Sequence, residues 1–202
     1  TVKHYALNDQ ETNRMTDSSD ASVRTMQEID LPAFEAAVKQ GHVASVMCSY
    51  NKVHGTYACE NRYLLRTVLD KQFGFKGWVM SDWGGTHSTV AAALNGLDQE
   101  QNATAGTYFN KALMPAVEDP KVPMATLDEM VTRVMRGLFA AGVFDDPPPS
   151  DPKALTAFVN TTQEKDIALE AAEGGAVLLK NSGGALPISG AGRSLAVIGL
   201  PA

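Results

Sequence analysis

An α/β fold on a parallel sheet is predicted for this chain by three observations. Three short segments, "TVKHYAL" (1–7), "ASVMCSYN" (44–51) and "GWVMSDW" (77–83), are apolar or β-branched and each ends in polar residues, as buried strands do. The separations between them are filled by helix-like stretches. Strand, helix, strand, helix, strand is the order of right-handed βαβ units.

The first connecting helix is expected in "LPAFEAAVKQG" (31–41). Pro32 suits a first turn, Leu31, Phe34 and Val38 form an apolar stripe, and Gly41 is a stop. "NRYLLRTVLDKQFG" (61–74) repeats the pattern with Leu64, Leu65, Val68, Leu69 and Phe73. After Ser88 the chain turns mostly helical, with short candidates at "TVAAALNG" (89–96) and "TYFNKALMPAVED" (107–119). The strongest helical signal is "TLDEMVTRVMRGLFAAG" (126–142), where Thr126 and Glu129 are placed for a capping box and Gly142 for the end. Its apolar positions Leu127, Met130, Val131, Val134, Leu138 and Phe139 fall on one face, and they are expected to fill a core.

"DDPPPSDP" (145–152) fits neither helix nor central strand, because consecutive prolines remove donors and fix φ. It opens a linker read as residues 145–160, after a first domain at 1–144. Beyond it come an amphipathic helix in "TTQEKDIALEAAEGG" (161–175), a strand in "AVLLKNS" (176–182), a turn-rich "GGALPISGAG" (183–192) and a strand in "SLAVIG" (194–199). Residues 161–202 thus read as the start of a second α/β domain. The layout is that of a middle portion of a longer protein.

The 202 residues carry a formal charge of −6 with 44% apolar residues, and the sequence pI is about 5.2. No basic face is expected, which argues against nucleic acid or an anionic membrane as partner and favours a small neutral ligand. No apolar run reaches the roughly 18 residues of a transmembrane helix. Cys48 and Cys59 could pair in an oxidising compartment or stay as thiols in a reducing one, so the compartment stays open, with secretion or a periplasm slightly favoured. Neither has metal-ligand spacing with a His pair, and no zinc site is expected. "NAT" at Asn102 and "NTT" at Asn160 are acceptor sequences for glycosylation in a eukaryotic secretory route.

In a parallel α/β layout, functional groups gather at the carboxyl ends of the strands. The first strand carries Lys3 and His4 and runs on to Arg14, the second ends near Tyr50, and the third ends in Asp82 and Trp83. This mixture suits a sugar: the polar groups bind hydroxyls, and the apolar face of a pyranose lies well against an indole. A carboxylate under an anomeric carbon can act as nucleophile if a second carboxyl group about 5–5.5 Å away protonates the leaving oxygen. Taken alone, an Asp followed by Gly84 and Gly85 is more often a turn-former. His42, His54 and His87 are read as loop or surface histidines.

The segments "KHYALNDQETNR", "VMCSYNKVHGTYACEN" and "GWVMSDWGGTHS", in that order, resemble the glycoside hydrolase family 3 β-glucosidases. "GLFAAGVFDDP", "AVLLKNSGGALPIS" and "SLAVIG" are similar to the end of that family's barrel domain and the start of its α/β sandwich domain. The resemblance implies part of a (β/α)8-type (TIM) barrel followed by the beginning of an α/β sandwich. It implies that Asp82 is the nucleophile of a retaining double displacement. Trp83 would be the aromatic beside the bound sugar, Lys3, His4 and Arg14 would hold its hydroxyls, and Met47 and Tyr50 would line the same subsite. The implied substrate is a terminal β-D-glucosyl group of a glucoside or oligosaccharide, as in cellulose breakdown, with no cofactor. The acid/base Glu and the early barrel strands would come from other segments of the same enzyme, leaving residues 1–202 inactive alone. The alternatives are a β-xylosidase or N-acetylglucosaminidase of the same family, or a sugar-binding relative without catalysis. The "ETNR" continuation argues against the glucosaminidase branch, and the joint presence of Lys3, His4, Arg14 and Asp82 argues against loss of catalysis.

Overall fold

A computed structural model describes residues 1–102, 107–151, 153–154, 159–188, 194, 196 and 198–199. The chain divides into two compact units, Thr1–Pro147 and Pro148–Ala202. Among the described residues, the first unit holds strands β1 (Val2–Tyr5), β2 (Ser18–Ser19), β3 (Ser45–Cys48), β4 (Lys52–Val53), β5 (Thr56–Tyr57) and β6 (Trp78–Ser81). The three predicted strands are β1, β3 and β6, and they form one parallel sheet in the order β1-β3-β6. A single parallel bridge between Met80 and Gln99 continues the pairing past β6. The other three strands make a small mixed sheet in the order β2-β4-β5, assembled from the segments that follow β1 and β3.

The helices of this unit are α1 (Val23–Thr25), α2 (Leu31–Lys39), α3 (Val90–Asn95), α4 (Leu113–Glu118) and α5 (Met124–Ala140). The helix expected over 61–74 forms as a wider π-helix at Tyr63–Gln72. Leu64, Leu65, Val68 and Leu69 are all buried, and a turn of more than four residues keeps such doublets on one side. They pack with Met26, Leu31, Val46, Cys48 and Val79 into the main core. Tyr5 joins it, its hydroxyl donating to the Leu64 carbonyl at 2.9 Å and its ring meeting Phe34 edge-on at 5.0 Å. Met47 and Met80 alternate with these strand residues and so share the opposite face of the sheet.

Helix α5 begins at Met124 after Pro123, so the expected Thr126–Glu129 capping box is not its start. Glu129 is engaged by charge instead: Arg66 donates to it at 2.8 Å and Arg133 at 2.9 Å. Arg133 also grips Asp70 bidentately at 3.0 and 2.9 Å, tying α5 to the Tyr63–Gln72 helix. At Gly137 the helix touches the Trp78 indole so closely that a Cβ would lie 2.0 Å from Cζ3. Met130 is buried on the same stripe, while Val131 and Phe139 are 52% and 59% exposed, contrary to the expected core placement. The reason is angular: at about 100° per residue, Phe139 lies roughly 200° round the helix from Gly137. Phe139 packs on Phe144 instead, with ring centroids 4.5 Å apart.

Two buried side chains stitch the strand ends together. The Asn51 amide donates to the carbonyls of Ala6 and Leu7, each at 3.2 Å, and Ser49 Oγ donates to the Ala6 carbonyl at 3.0 Å. Cys48 and Cys59, open in the sequence reading, form a disulfide with Cα atoms 5.2 Å apart, so the end of β3 is covalently tied to the turn after β5.

In the second unit, helix α6 (Thr162–Gly175) starts with a full capping box. Thr161 Oγ1 accepts from the Glu164 amide at 3.2 Å, and Glu164 accepts from the Thr161 amide at 2.8 Å. The strand expected at 176–182 does not form, and Val177, Leu178 and Leu179 are 77%, 62% and 91% exposed. An extended segment becomes a strand only when another backbone satisfies its N–H and C=O groups, and none among the described residues does so here. The strand expected at 194–199 falls in part outside the described residues.

Candidate active site

Asp82 follows the last residue of β6, and its backbone N–H donates to the Cys48 carbonyl at 3.2 Å, which fixes it against the end of β3. The chain then turns at once: the Gly85 amide donates to the Asp82 carbonyl at 2.9 Å. Gly84 sits at φ +79°, a left-handed conformation that side chains rarely adopt. The carboxylate is thereby held at the carboxyl edge of the sheet with 8% of its side chain exposed.

Three groups converge on that carboxylate. Oδ1 accepts from the Tyr50 hydroxyl at 2.9 Å and from the Trp83 backbone N–H at 2.8 Å. Oδ2 lies 3.3 Å from His4 Nε2. One oxygen is therefore doubly bonded to fixed donors, while the other faces only an imidazole that is 37% exposed. Burial pushes the Tyr50 phenol up, and its hydrogen bond to Asp82 and the charge of that carboxylate push it further, against a lowering by Arg14. The phenol consequently stays protonated and serves as a donor at neutral pH. The Arg14 guanidinium stacks 4.6 Å from the Tyr50 ring centroid and pairs with Glu11 at 2.6 Å.

The structure thus brings together Asp82, His4, Tyr50 and Arg14 as the sequence pattern suggests. Trp83 touches Asp82 through its backbone, and the residue is 52% exposed. Met47 is buried on the sheet face that it shares with Met80. Lys3 is exposed, and its side chain makes no hydrogen bond or ion pair within the described residues. Sequence reasoning missed Ser49 and Asn51, whose bonds to Ala6 and Leu7 tie the end of the strand carrying His4 to the segment carrying Tyr50. The polar run "CSYN" directly after an apolar strand was their signal. His87, expected at the surface, is half-buried and stacks on Tyr57 with centroids 3.6 Å apart, and burial lowers its pKa. Among the described residues no group of three or more His, Cys, Asp or Glu is placed to hold a metal, and no helix is long and apolar enough to cross a membrane.

The arrangement is that of an α/β protein with a nearly buried, hydrogen-bonded carboxylate at the carboxyl edge of its parallel sheet, where such folds place their binding sites. Residues 1–137 match the glycosyl hydrolase family 3 N terminal domain, and the chain belongs to that family. It is 43% identical to "Probable beta-glucosidase L" of Emericella nidulans over 98% of this chain, and 39% identical to "Beta-glucosidase cel3A" of Pyricularia oryzae over 98%. The chain spans only 28% and 27% of those two proteins. Among solved structures, it resembles the β-glucosidase DesR from Streptomyces venezuelae in complex with D-glucose, with a TM-score of 0.76, 36% identity, and coverage of 93% of this chain and 25% of that one. The β-D-glucoside glucohydrolase of Trichoderma reesei gives a TM-score of 0.74 and 39% identity, covering 93% and 26%.

Proposed function

We propose that this chain carries the nucleophile half of a retaining β-glucosidase active site, as part of a (β/α)8-type barrel that continues into an α/β sandwich. The observation that carries the reading is the pair of donors, Tyr50 OH and Trp83 N–H, on a single oxygen of Asp82. They orient the carboxylate and leave Oδ2 as the attacking atom. The β-glucosidase names of the relatives, and a D-glucose complex among the similar structures, support the substrate class.

In the first step Oδ2 forms a bond to the anomeric carbon while the bond from that carbon to the leaving oxygen breaks. The departing electron pair is met by a proton from an acid carboxyl group. The product is a glucosyl ester on Asp82. In the second step the same carboxylate takes a proton from water, the water oxygen bonds to the anomeric carbon, and Asp82 leaves with its electron pair, so the configuration is retained. His4, Arg14 and Lys3 hold sugar hydroxyls, Trp83 lies against the ring, and Met47 lines the floor. As written, the chemistry needs no cofactor. The resemblance to family 3 enzymes assigns the acid/base to another segment of the enzyme, and residues 1–202 alone should not turn over substrate.

The test is to inactivate the full-length enzyme with a 2-fluoro glucoside and map the labelled peptide. Label on Asp82 is the expected result. A label on another residue, or none, refutes the assignment, and trapping by the 2-fluoro xyloside in preference to the glucoside would favour the β-xylosidase reading.

A further inference from the structure

We propose that Met15 is a specificity-determining residue of this site and forms the contact that receives an apolar, planar leaving group. The inference rests on the glucosidase reading above and extends it to the other half of the substrate. Met15 directly follows Arg14, whose guanidinium is seated on the ring of Tyr50, the residue that donates to Asp82. From there the side chain reaches the turn that follows Asp82. Its Cε lies 4.0 Å from the point that a Cβ on Gly84 would occupy. Gly84 has no side chain of its own and is exposed, so the thioether methyl stands next to an open stretch of backbone in this turn.

Trp83 precedes Gly84 and is 52% exposed, and Met15 is 39% exposed. Two large apolar side chains therefore stand open on segments next to a carboxylate that is itself nearly buried. Apolar side chains exposed beside a few placed polar groups are the make-up of a ligand-binding surface. In-line displacement puts the leaving oxygen on the side of the anomeric carbon away from Asp82, and its substituent then points outward. An unbranched, polarizable thioether adapts to aromatic faces and gains little from a small alkyl group. The site should thus prefer β-glucosides whose leaving group presents an aromatic or other apolar face.

The experiment compares kcat/KM for 4-nitrophenyl β-glucoside and methyl β-glucoside in the full-length enzyme, as wild type, Met15→Ala and Met15→Leu. This parameter reports steps up to departure of the leaving group. Met15→Ala is expected to lower the aryl-to-methyl ratio about five- to tenfold, and Met15→Leu to keep it within about twofold of wild type. A ratio unchanged in Met15→Ala, with Asp82 still labelled by the 2-fluoro glucoside, overturns the role of Met15 alone. A wild-type enzyme that hydrolyses neither glucoside and takes no label overturns the glucosidase reading, and Met15 with it.

Discussion

The first unit contains two clusters of charged side chains, and they are built on opposite rules. Around Asp82, two donors satisfy one oxygen and a half-exposed imidazole faces the other, leaving the carboxylate open to an incoming atom. Around Arg133, the guanidinium bonds Asp70 and Glu129 together, and Arg66 bonds both again. Arg133 and Asp70 are only 11% and 15% exposed. The second cluster has more charge and more ion pairs, yet its groups are saturated by one another and clamp a helix. The nearby Asp98 carboxyl is driven up to about 7, first by burial, although its Oδ2 accepts from the Val79 amide at 2.8 Å and Arg133 opposes the rise. The displaced titration of Asp98 goes with burial beside a structural ion-pair network, which shifts pKa values as functional sites do.

Asp82→Asn should have the largest effect, removing at least about 10⁴-fold of kcat in the full-length enzyme while leaving the melting transition nearly unchanged. A loss under about tenfold would move the nucleophile elsewhere. Arg133→Met should do the reverse. Asp70 and Glu129 would keep Arg66 but lose Arg133, which should cost about 1–3 kcal/mol of stability by denaturant titration, with kcat of the folded enzyme little altered. If kcat fell as far as it does in Asp82→Asn, the two clusters would not be separable.

Tyr50→Phe is expected to lower kcat by about 10²-fold, the usual cost of one oriented donor, without a matching loss of stability. At Asp98 the expected effect is on the pH dependence of stability and not on rate. Its folded pKa lies above the unfolded one, so between about pH 4 and 7 the folded state holds a proton that the unfolded state has released. Stability should fall as pH rises through that window, at up to about 1.4 kcal/mol per pH unit, and level off above it. Asp98→Asn should remove this component of the slope, as urea titrations at successive pH values would show. An unchanged slope would mean that Asp98 ionises normally.

Much of this organisation was legible in the sequence because it depends on local pattern. Apolar runs with β-branched residues placed β1, β3 and β6 within about three residues, and the strand-end rule drew His4, Tyr50 and Asp82 into one site. The failures share a cause. Thr126 and Glu129 have capping-box spacing, but Glu129 is taken by two arginines, one of them 63 residues away in the chain. Phe139 and Val131 belong to a broad apolar face of which the sheet accepts only a narrow stripe. Val177 to Leu179 read as a strand, but strand formation depends on a partner that the segment itself cannot supply.

By itself, then, the sequence determined the order of strands and helices, the parallel topology and the types of side chain delivered to the carboxyl ends of the strands, since these follow from periodicity and short-range sterics. Only the tertiary structure decided that Cys48 pairs with Cys59, that Asn51 and Ser49 tie the two strand ends together, and that Oδ1 of Asp82 is bonded while Oδ2 faces His4. Those outcomes depend on distances between residues far apart in the chain. Such distances are set by how the helices and the sheet pack together, which no local pattern encodes.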